Sequence, residues 1–293
     1  MRLLKTLLLT AAALMATTSC IRDEIQDCPP LRVKIAVQDK NYFNVDKVEL
    51  EDRLSETLPF KEYVHSLYWI LRDAQTGNVV DEDFIDQIDS EEQILPLEFC
   101  DCIPHGKYVL TVWGNLENED PLGNDPLSLD FHPAGTEGLD IYMTNDTLTY
   151  DAWHNDQTVY MERTKGKLIV EKVNLPAQVL ASEKTVGGLF SRVSNAFIYS
   201  GETRVNKHVD IAPAASVVTK TMLSPSIRNK GSRLSYTFPT GGAEVFVPAD
   251  VNITMERNML TVLRYVWDPE IGDFTIYILV NDNWEVVTQM GVE

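Results

Sequence analysis

Short segments in which apolar and polar residues alternate fill most of this chain, and turn-forming residues separate them about every ten positions. Residues 31–37 alternate in their first half, which is typical of a half-buried strand. The run 108–113 is the strongest strand signal in the first half of the chain, because β-branched and aromatic residues are concentrated there. Residues 67–71 are apolar, and the turn chemistry at 73–78 then predicts a hairpin that returns through 79–80.

A second strand series begins near Lys165. A turn at 164–166 is expected between strands at 158–161 and 167–173, whereas the charged segment 44–58 fits either a helix or a long loop. Further strands are predicted at 196–199, 232–238, 251–255, 259–267 and 274–280, with a turn at 268–273. The pattern predicts an all-β chain of two tandem antiparallel β-sandwich domains, an N-terminal one over residues 31–162 and a C-terminal one over residues 163–293.

The first twenty residues have the pattern of a bacterial lipoprotein signal peptide. Arg2 and Lys5 form a basic start, residues 7–16 are apolar, and small residues at 17–19 precede Cys20. The apolar run is about half the length that spans a bilayer, so it is a signal segment rather than a transmembrane helix. An ordinary secretory signal is the alternative, but its Ala-x-Ala cleavage pattern is absent. We expect removal of residues 1–19, acylation of Cys20, and a tether formed by residues 20–30.

Composition and charge narrow the classes of partner. Apolar residues make up 44% of the chain and charged residues 24%, which is ordinary for a folded protein. Loss of the signal peptide leaves 274 residues, above the size at which one core usually stops growing. It also leaves 23 basic against 44 acidic residues, a net charge of −21. Such a surface is repelled by nucleic acids and by anionic membranes, so we expect membrane contact through the lipid only.

Three cysteines remain besides Cys20, namely Cys28, Cys100 and Cys102. An odd number allows one disulfide and one free thiol. A bridge between Cys100 and Cys102 would be strained, which favours a disulfide between Cys28 and one of the two. A metal site at the Cys-x-Cys pair is the alternative, but only His105 lies close by and two further ligands are missing.

Motifs for catalysis are absent from the sequence, and we expect neither an enzyme nor a cofactor nor a metal site. The five histidines are scattered, and there is no Gly-x-Ser-x-Gly elbow or phosphate-binding loop. The acidic segments 81–92 and 117–130 lack the spacing of a calcium loop and are expected to be solvated. Trp153, Trp267 and Trp284 are expected in the core or at its rim, with a sugar-binding platform as the alternative.

Several short motifs resemble one known family. They are the opening Cys20-Ile21-Arg22-Asp23-Glu24, then Asp27-Cys28-Pro29, the strand Tyr68-Trp69-Ile70, the run from Gly106 through Trp113-Gly114-Asn115, and Lys167-Leu168-Ile169-Val170. Together they look like the FimB-type fimbrial anchor lipoproteins of Bacteroidales, over nearly the whole mature chain. The Gly-x-Tyr-x-Leu-x-Val-Trp-Gly-Asn run is the most distinctive of them.

The resemblance implies two transthyretin-like sandwiches at the surface of the outer membrane, which anchor a fimbrium (pilus) and limit its length. The implied partners are fimbrial shaft subunits, which would pair through β-strand addition. The candidate pairing edges are the two terminal strands, at Val33, Ile35 and Val37 and at Phe274, Ile276 and Ile278. The alternative is that both are ordinary core strands, since residues 274–280 are apolar on both faces. Thr147, after Asp146, resembles a site of O-glycosylation in these bacteria.

A surface glycan-binding lipoprotein of a nutrient-uptake system is the second functional hypothesis. It would also be acidic, β-rich and lipidated. A glycan binder is expected to place two or three exposed tryptophans on one face, whereas a fimbrial anchor is expected to show an open sheet edge or an extended terminal strand.

Overall fold

The computed structural model describes residues 29–99, 103–116, 127–212 and 216–287, and these ranges consist of β-strands joined by loops and short 3-10 turns. The predicted all-β fold is confirmed, and no α-helix occurs in these ranges. In this part of the chain no helix is long and apolar enough to cross a membrane. The strands are β1 (Leu31–Val37), β2 (Leu67–Asp73), β3 (Val79–Ile85), β4 (Ile94–Phe99), β5 (Gly106–Gly114), β6 (Ser128–Asp130), β7 (Tyr142–Tyr150), β8 (Asp156–Arg163), β9 (Gly166–Val173), β10 (Ala181–Leu189), β11 (Arg192–Ser194), β12 (Tyr199–Ser200), β13 (Thr203–Asp210), β14 (Ser216–Leu223), β15 (Ser232–Pro239), β16 (Val245–Phe246), β17 (Val251–Ile253), β18 (Leu260–Asp268), β19 (Asp273–Val280) and β20 (Asn283–Val286).

The N-terminal half is a seven-stranded sheet in the order β3-β2-β5-β7-β8-β1-β4. β1 pairs antiparallel with β4 on one side and parallel with β8 on the other. Every second side chain of β1 is buried in the core of this half, while Arg32 and Lys34 point to solvent. The segment 44–58, which the sequence left open between helix and loop, is irregular apart from a 3-10 turn at Val45–Lys47.

The C-terminal half contains two sheets that face each other. One has the order β14-β9-β18-β19-β20, and the other the order β13-β10-β15, with β16 and β17 both paired to β15. Their inner faces form a second core around Val170, Val186, Leu234, Phe238 and Tyr265. The predicted hairpin of β18 and β19 is present, with partners from Leu263 and Ile278 to Asp268 and Asp273.

The two halves interlock at an extensive junction. β6 of the first half pairs with β11 of the second, and residues between Tyr42 and Leu50 pack onto Ile169 and Val262. The expected turn at 164–166 is instead the buried connection between the halves, with Thr164 fully buried and Lys165 2% exposed. It joins β8 and β9, which belong to different sheets.

Gly166 shows how closely the halves pack where this connection begins β9. A Cβ atom at this position would overlap the carbonyl oxygen of Glu256 and lie 2.9 Å from that of Met259. Only glycine lets two backbones approach so closely. The connection is therefore a fixed part of the structure rather than a flexible linker.

Candidate functional site: sheet edges and the junction

The two strands expected to be pairing edges lie inside their sheets. Val33, Ile35 and Val37 belong to β1, which has neighbours on both sides. Phe274, Ile276 and Ile278 belong to β19, which lies between β18 and β20. The expectation of free edges at these positions is therefore corrected. Their backbone groups pair within the sheets, as the alternative of ordinary core strands required.

The edges of the N-terminal sheet are β3 and β4, and both carry features that oppose pairing with another chain. β3 contains Asp81, Glu82 and Asp83, and β4 contains Pro96. Charges and proline on an edge strand are common protections against unwanted sheet extension. Asp81 and Glu82 also accept hydrogen bonds from the Trp69 indole, at 3.4 Å, and the Tyr68 hydroxyl. These two carboxylates therefore also stabilise the pairing of β3 with β2.

In the C-terminal half, residues 131–139 of the first half contact the edge strand β13 and the chain at the end of the edge strand β14. The ammonium group of Lys207 lies 2.7 Å from the Glu137 carboxylate. His132 Nδ1 donates to the Thr136 carbonyl at 2.9 Å, so its Nε2 accepts the Ser224 N–H at 3.0 Å. Burial lowers the pKa of His132 to about 4, which keeps this acceptor neutral.

β20 is the opposite edge of the sheet that begins with β14. β19 and β20 form a hairpin through Asn281 and Asp282, whose φ angles of 47° and 68° are those of a tight type I′ turn. β20 has only four residues, and Val286 is 55% exposed. Trp284 fixes the strand, since it lies under the Arg264 guanidinium at 4.1 Å. β20 is thus a short strand that has no partner strand on its outer side among the described residues.

An open groove of about 960 Å³ runs along the junction beside β12. Phe43 and Ile198 on its rim are each 65% exposed, and the Arg257 guanidinium lies 5.0 Å from the centre of the Phe197 ring. An open groove of mixed polar and apolar lining, with apolar side chains on its rim, is more typical of a contact with another protein than of an enclosed small-molecule site.

A buried arginine, Arg163, links the two halves inside the junction. Arg163 is 4% exposed at its side chain, and its Nε lies 2.8 Å from Asp140. Its two terminal nitrogens bind Asn258, on the second half, and the Tyr142 hydroxyl, while the guanidinium carbon lies 4.2 Å from the centre of the Tyr42 ring. Burial acts to lower the pKa of Arg163, but the Asp140 carboxylate and the ionisable hydroxyls of Tyr142 and Tyr42 outweigh it, so the pKa is raised. Sequence reasoning missed this residue, because an arginine at the end of a strand looks like a surface residue.

Two further buried cations lie in the core of the C-terminal half, and sequence reasoning missed them too. Lys172 is fully buried beside the Thr219 hydroxyl at 3.3 Å, and Lys184, 3% exposed, binds the Thr221 hydroxyl. Neither has a carboxylate partner within the described residues. Burial, followed by the charges of neighbouring lysines, lowers the pKa of Lys172 to about 8 and of Lys184 to about 7.

The other predicted site residues are dispersed. Thr147 is exposed on β7, so a modifying enzyme can reach its hydroxyl. The signal peptide and all four cysteines, Cys20, Cys28, Cys100 and Cys102, lie outside the described residues, as does most of the acidic segment 117–130.

The five tryptophans differ strongly in exposure. Trp69 and Trp113 are buried, and Trp267 and Trp284 are partly buried against Phe274 and Arg264. Trp153 is 89% exposed, contrary to the expectation that it lies in the core or at its rim. No face of the molecule therefore presents two or three exposed tryptophans.

Searches for relatives by sequence give no match. No protein-family model matches the chain. No curated protein matches it either.

Solved structures share its fold over most of its length. An adhesin candidate of Bacteroides thetaiotaomicron superposes with a TM-score of 0.57 at 14% identity, covering 90% of this chain and all of that one. A candidate polysaccharide-binding protein of the same organism gives 0.54 at 12% identity, over 88% and 98% of the two chains. The fimbrial anchor protein Mfa2 of Porphyromonas gingivalis gives 0.51 at 11% identity, over 87% and 98%. At these identities the likeness shows a shared fold.

Proposed function

We propose that this protein is a non-enzymatic outer-membrane lipoprotein that anchors a fimbrium to the cell surface and limits its length. The observation that carries the proposal is the agreement in fold, over 87% of the chain, with a protein named as a fimbrial anchor. The signal-like start ending at Cys20 supplies the attachment. The tightly packed junction supports a role under tension, since the halves cannot separate without breaking the buried Arg163–Asn258 hydrogen bond and the Lys207–Glu137 ion pair.

Strand addition by a shaft subunit takes place in this proposal at β20 rather than at the two strands first considered. The N–H of Val287 donates to Ile276 at 2.8 Å, so these two residues form a hydrogen-bonded pair with β19. In an antiparallel ladder such pairs alternate. The Glu285 N–H therefore faces β19, and the Val286 N–H faces outward, where an incoming strand would accept its hydrogen bond.

Glycan binding is the second proposed function. The observation in its favour is the shared fold with a protein described as a candidate polysaccharide-binding protein. A glycan-binding protein of this kind is expected to present a platform of exposed tryptophans. Only Trp153 is strongly exposed, while Trp267 and Trp284 are occupied by packing within the protein. The anchor proposal is favoured on this ground.

Replacing Val286 by proline tests the pairing edge. Proline removes the outward N–H and leaves the hydrogen bonds between β19 and β20 in place, so the protein is expected to fold while its capture of purified shaft subunit falls at least tenfold. Capture is measured by surface plasmon resonance. Val286→Thr, which keeps the N–H, is the matched control and is expected to bind like the parent. Equal capture by the proline and threonine variants would exclude β20 as the edge.

Replacing Cys20 by alanine tests the anchor. Without an acylated cysteine the chain has no membrane attachment, so filaments are expected in the culture medium instead of on the cells. The distribution is measured by immunoblotting of shaft subunit in cell and medium fractions. Cys28→Ala, which leaves the acylated position intact, serves as control and should keep filaments on the cells. Filaments that remain attached to Cys20→Ala cells would contradict the anchor function.

A further inference from the structure

Trp153 is held outward by a rigid turn between β7 and β8. The Asp151 carboxylate accepts hydrogen bonds from the backbone N–H groups of Trp153 and His154, at 2.8 and 2.9 Å, and its two oxygens each lie 2.9 Å from the His154 ring. This carboxylate also has a lowered pKa, first because of the bond to His154. The indole is thus presented to solvent at 89% exposure by a fixed backbone, not by a loose loop.

This turn lies directly beside the point where the N-terminal tether joins the fold. The Tyr150 hydroxyl donates to the Pro29 carbonyl at 2.6 Å, and the Arg32 N–H donates to the Asn155 carbonyl at 2.7 Å. Pro29 is the first described residue. Trp153 and the exit of the tether therefore share one end of the molecule.

That end is the one opposite the junction. β1 and β8 are parallel, and both start beside the turn and run toward the C-terminal half. β1 ends at Val37, near Asp39, whose carboxylate accepts the Arg163 N–H at 2.8 Å in the junction. The C-terminal half, with its β20 edge, therefore lies at the far end from Trp153.

The length of the tether limits how far this end can lie from an acylated Cys20. Eight residues lie between Cys20 and Pro29, so nine Cα-to-Cα steps join them. They span at most about 32 Å when fully extended, and about 17 Å on average as a flexible coil. Lipid insertion of Cys20 would thus hold the Trp153 end within this distance of the bilayer.

The charges around the turn do not oppose such an approach, although the whole chain carries −19. Arg32 pairs with Glu98 at 3.3 Å, Lys34 pairs with Asp156 at 2.8 Å, and His154 contacts Asp151. Among the described residues, this end therefore carries only a small net negative charge, whereas β3 is strongly acidic.

We propose that the Trp153 turn is a second membrane contact, with the indole inserted among the lipid headgroups beside the acylated Cys20. Tryptophan is enriched at this depth because its ring is apolar and its N–H finds polar partners there. The contact would orient the N-terminal half toward the bilayer and the C-terminal half, with β20, away from it. The inference rests on the acylation of Cys20 in the proposed function.

Quenching of tryptophan fluorescence by brominated lipid tests this contact. Full-length acylated protein is bound to vesicles of phosphatidylethanolamine and phosphatidylcholine brominated near the top of the acyl chains, and flotation measures attachment. We expect the protein to float with the vesicles and to lose about a fifth of its emission, the share of one tryptophan in five. Trp153→Gln is expected to float equally well and lose none. Trp267→Phe, at the far half, is expected to keep the quenching.

The possible outcomes separate this inference from the anchor proposal. Flotation without quenching, or quenching that persists in Trp153→Gln, would overturn the membrane contact and leave lipid anchoring intact. Failure of the purified chain to float would overturn the acylation of Cys20, and the contact with it. Quenching lost only in Trp153→Gln supports both.

Discussion

Replacing Arg163 by methionine is expected to lower the free energy of unfolding by about 4 kcal/mol, the usual cost of breaking a buried ion pair from one side. The change leaves the Asp140 carboxylate, which is 28% exposed at its side chain, without its guanidinium partner. It also removes a donor from Asn258, which is fully buried on the other half. Methionine has a similar length, so the loss comes from the polar network rather than from a large cavity.

Urea unfolding followed by tryptophan fluorescence measures this effect. Arg32→Met is the matched control, because Arg32 pairs with Glu98 at the surface, with side chains 61% and 46% exposed. An exposed pair contributes at most about 1 kcal/mol. If both variants lose the same small amount, the stability of the junction does not depend on the Arg163 side chain and must come from its apolar packing and its other polar contacts.

Replacing Lys184 by methionine is expected to do the opposite and stabilise the protein by about 3 kcal/mol at pH 7. The pKa of Lys184 falls from 10.5 to about 7, which corresponds to an unfavourable contribution of about 5 kcal/mol for keeping the charged form in the core. Methionine removes this contribution but leaves the Thr221 hydroxyl without its donor, so only part of it is recovered.

The pH dependence of stability identifies the cause of this gain. Between about pH 7 and 10.5 the unfolded chain binds more protons at Lys184 than the folded one, so the stability of the parent protein rises with pH in this window. Above about pH 10 the buried tyrosines reverse the trend, because burial raises the pKa of Tyr142 and Tyr265.

Unfolding is therefore compared at pH 7 and 9. The rise should be smaller in Lys184→Met, while the surface variant Lys34→Met should keep the parent slope. A Lys184→Met protein less stable than its parent would show that the hydrogen bond to Thr221 outweighs desolvation.

The sequence predicted those elements whose pairing is local. Residues 67–80 and 259–280 combine apolar runs with strong turn residues, and both form the expected hairpins. β10, β13 and β14 escaped prediction because their buried positions are partly polar. Lys184 and Thr221 point into the core, so alternation of apolar and polar residues does not mark the inner face of these strands.

The candidate site could be predicted only in part, because it depends on strand order. The residues proposed for pairing do form strands, but nothing in residues 31–37 shows that β4 and β8 lie on either side of them. Likewise, residues 163–166 have the sequence of an exposed turn. The sequence alone does not show that the opposite half buries them. Trp153 had a local signal, since an aspartate two residues earlier favours an Asx turn that exposes the intervening side chains.

The parallel pairing of β1 and β8 determines how the molecule responds to tension. In the proposed anchor, a pull from the membrane acts at the start of β1, and the opposing pull from the filament arrives through the junction at the end of β8. These points are at opposite ends of two parallel strands, so the load is a shear along the ladder. All the hydrogen bonds between the strands then resist together, and β4 adds a second ladder on the other side of β1. A peeling geometry would break them one at a time. The same strand order that removes β1 from the free edges would thus, in the proposed anchor, let it withstand tension on the filament.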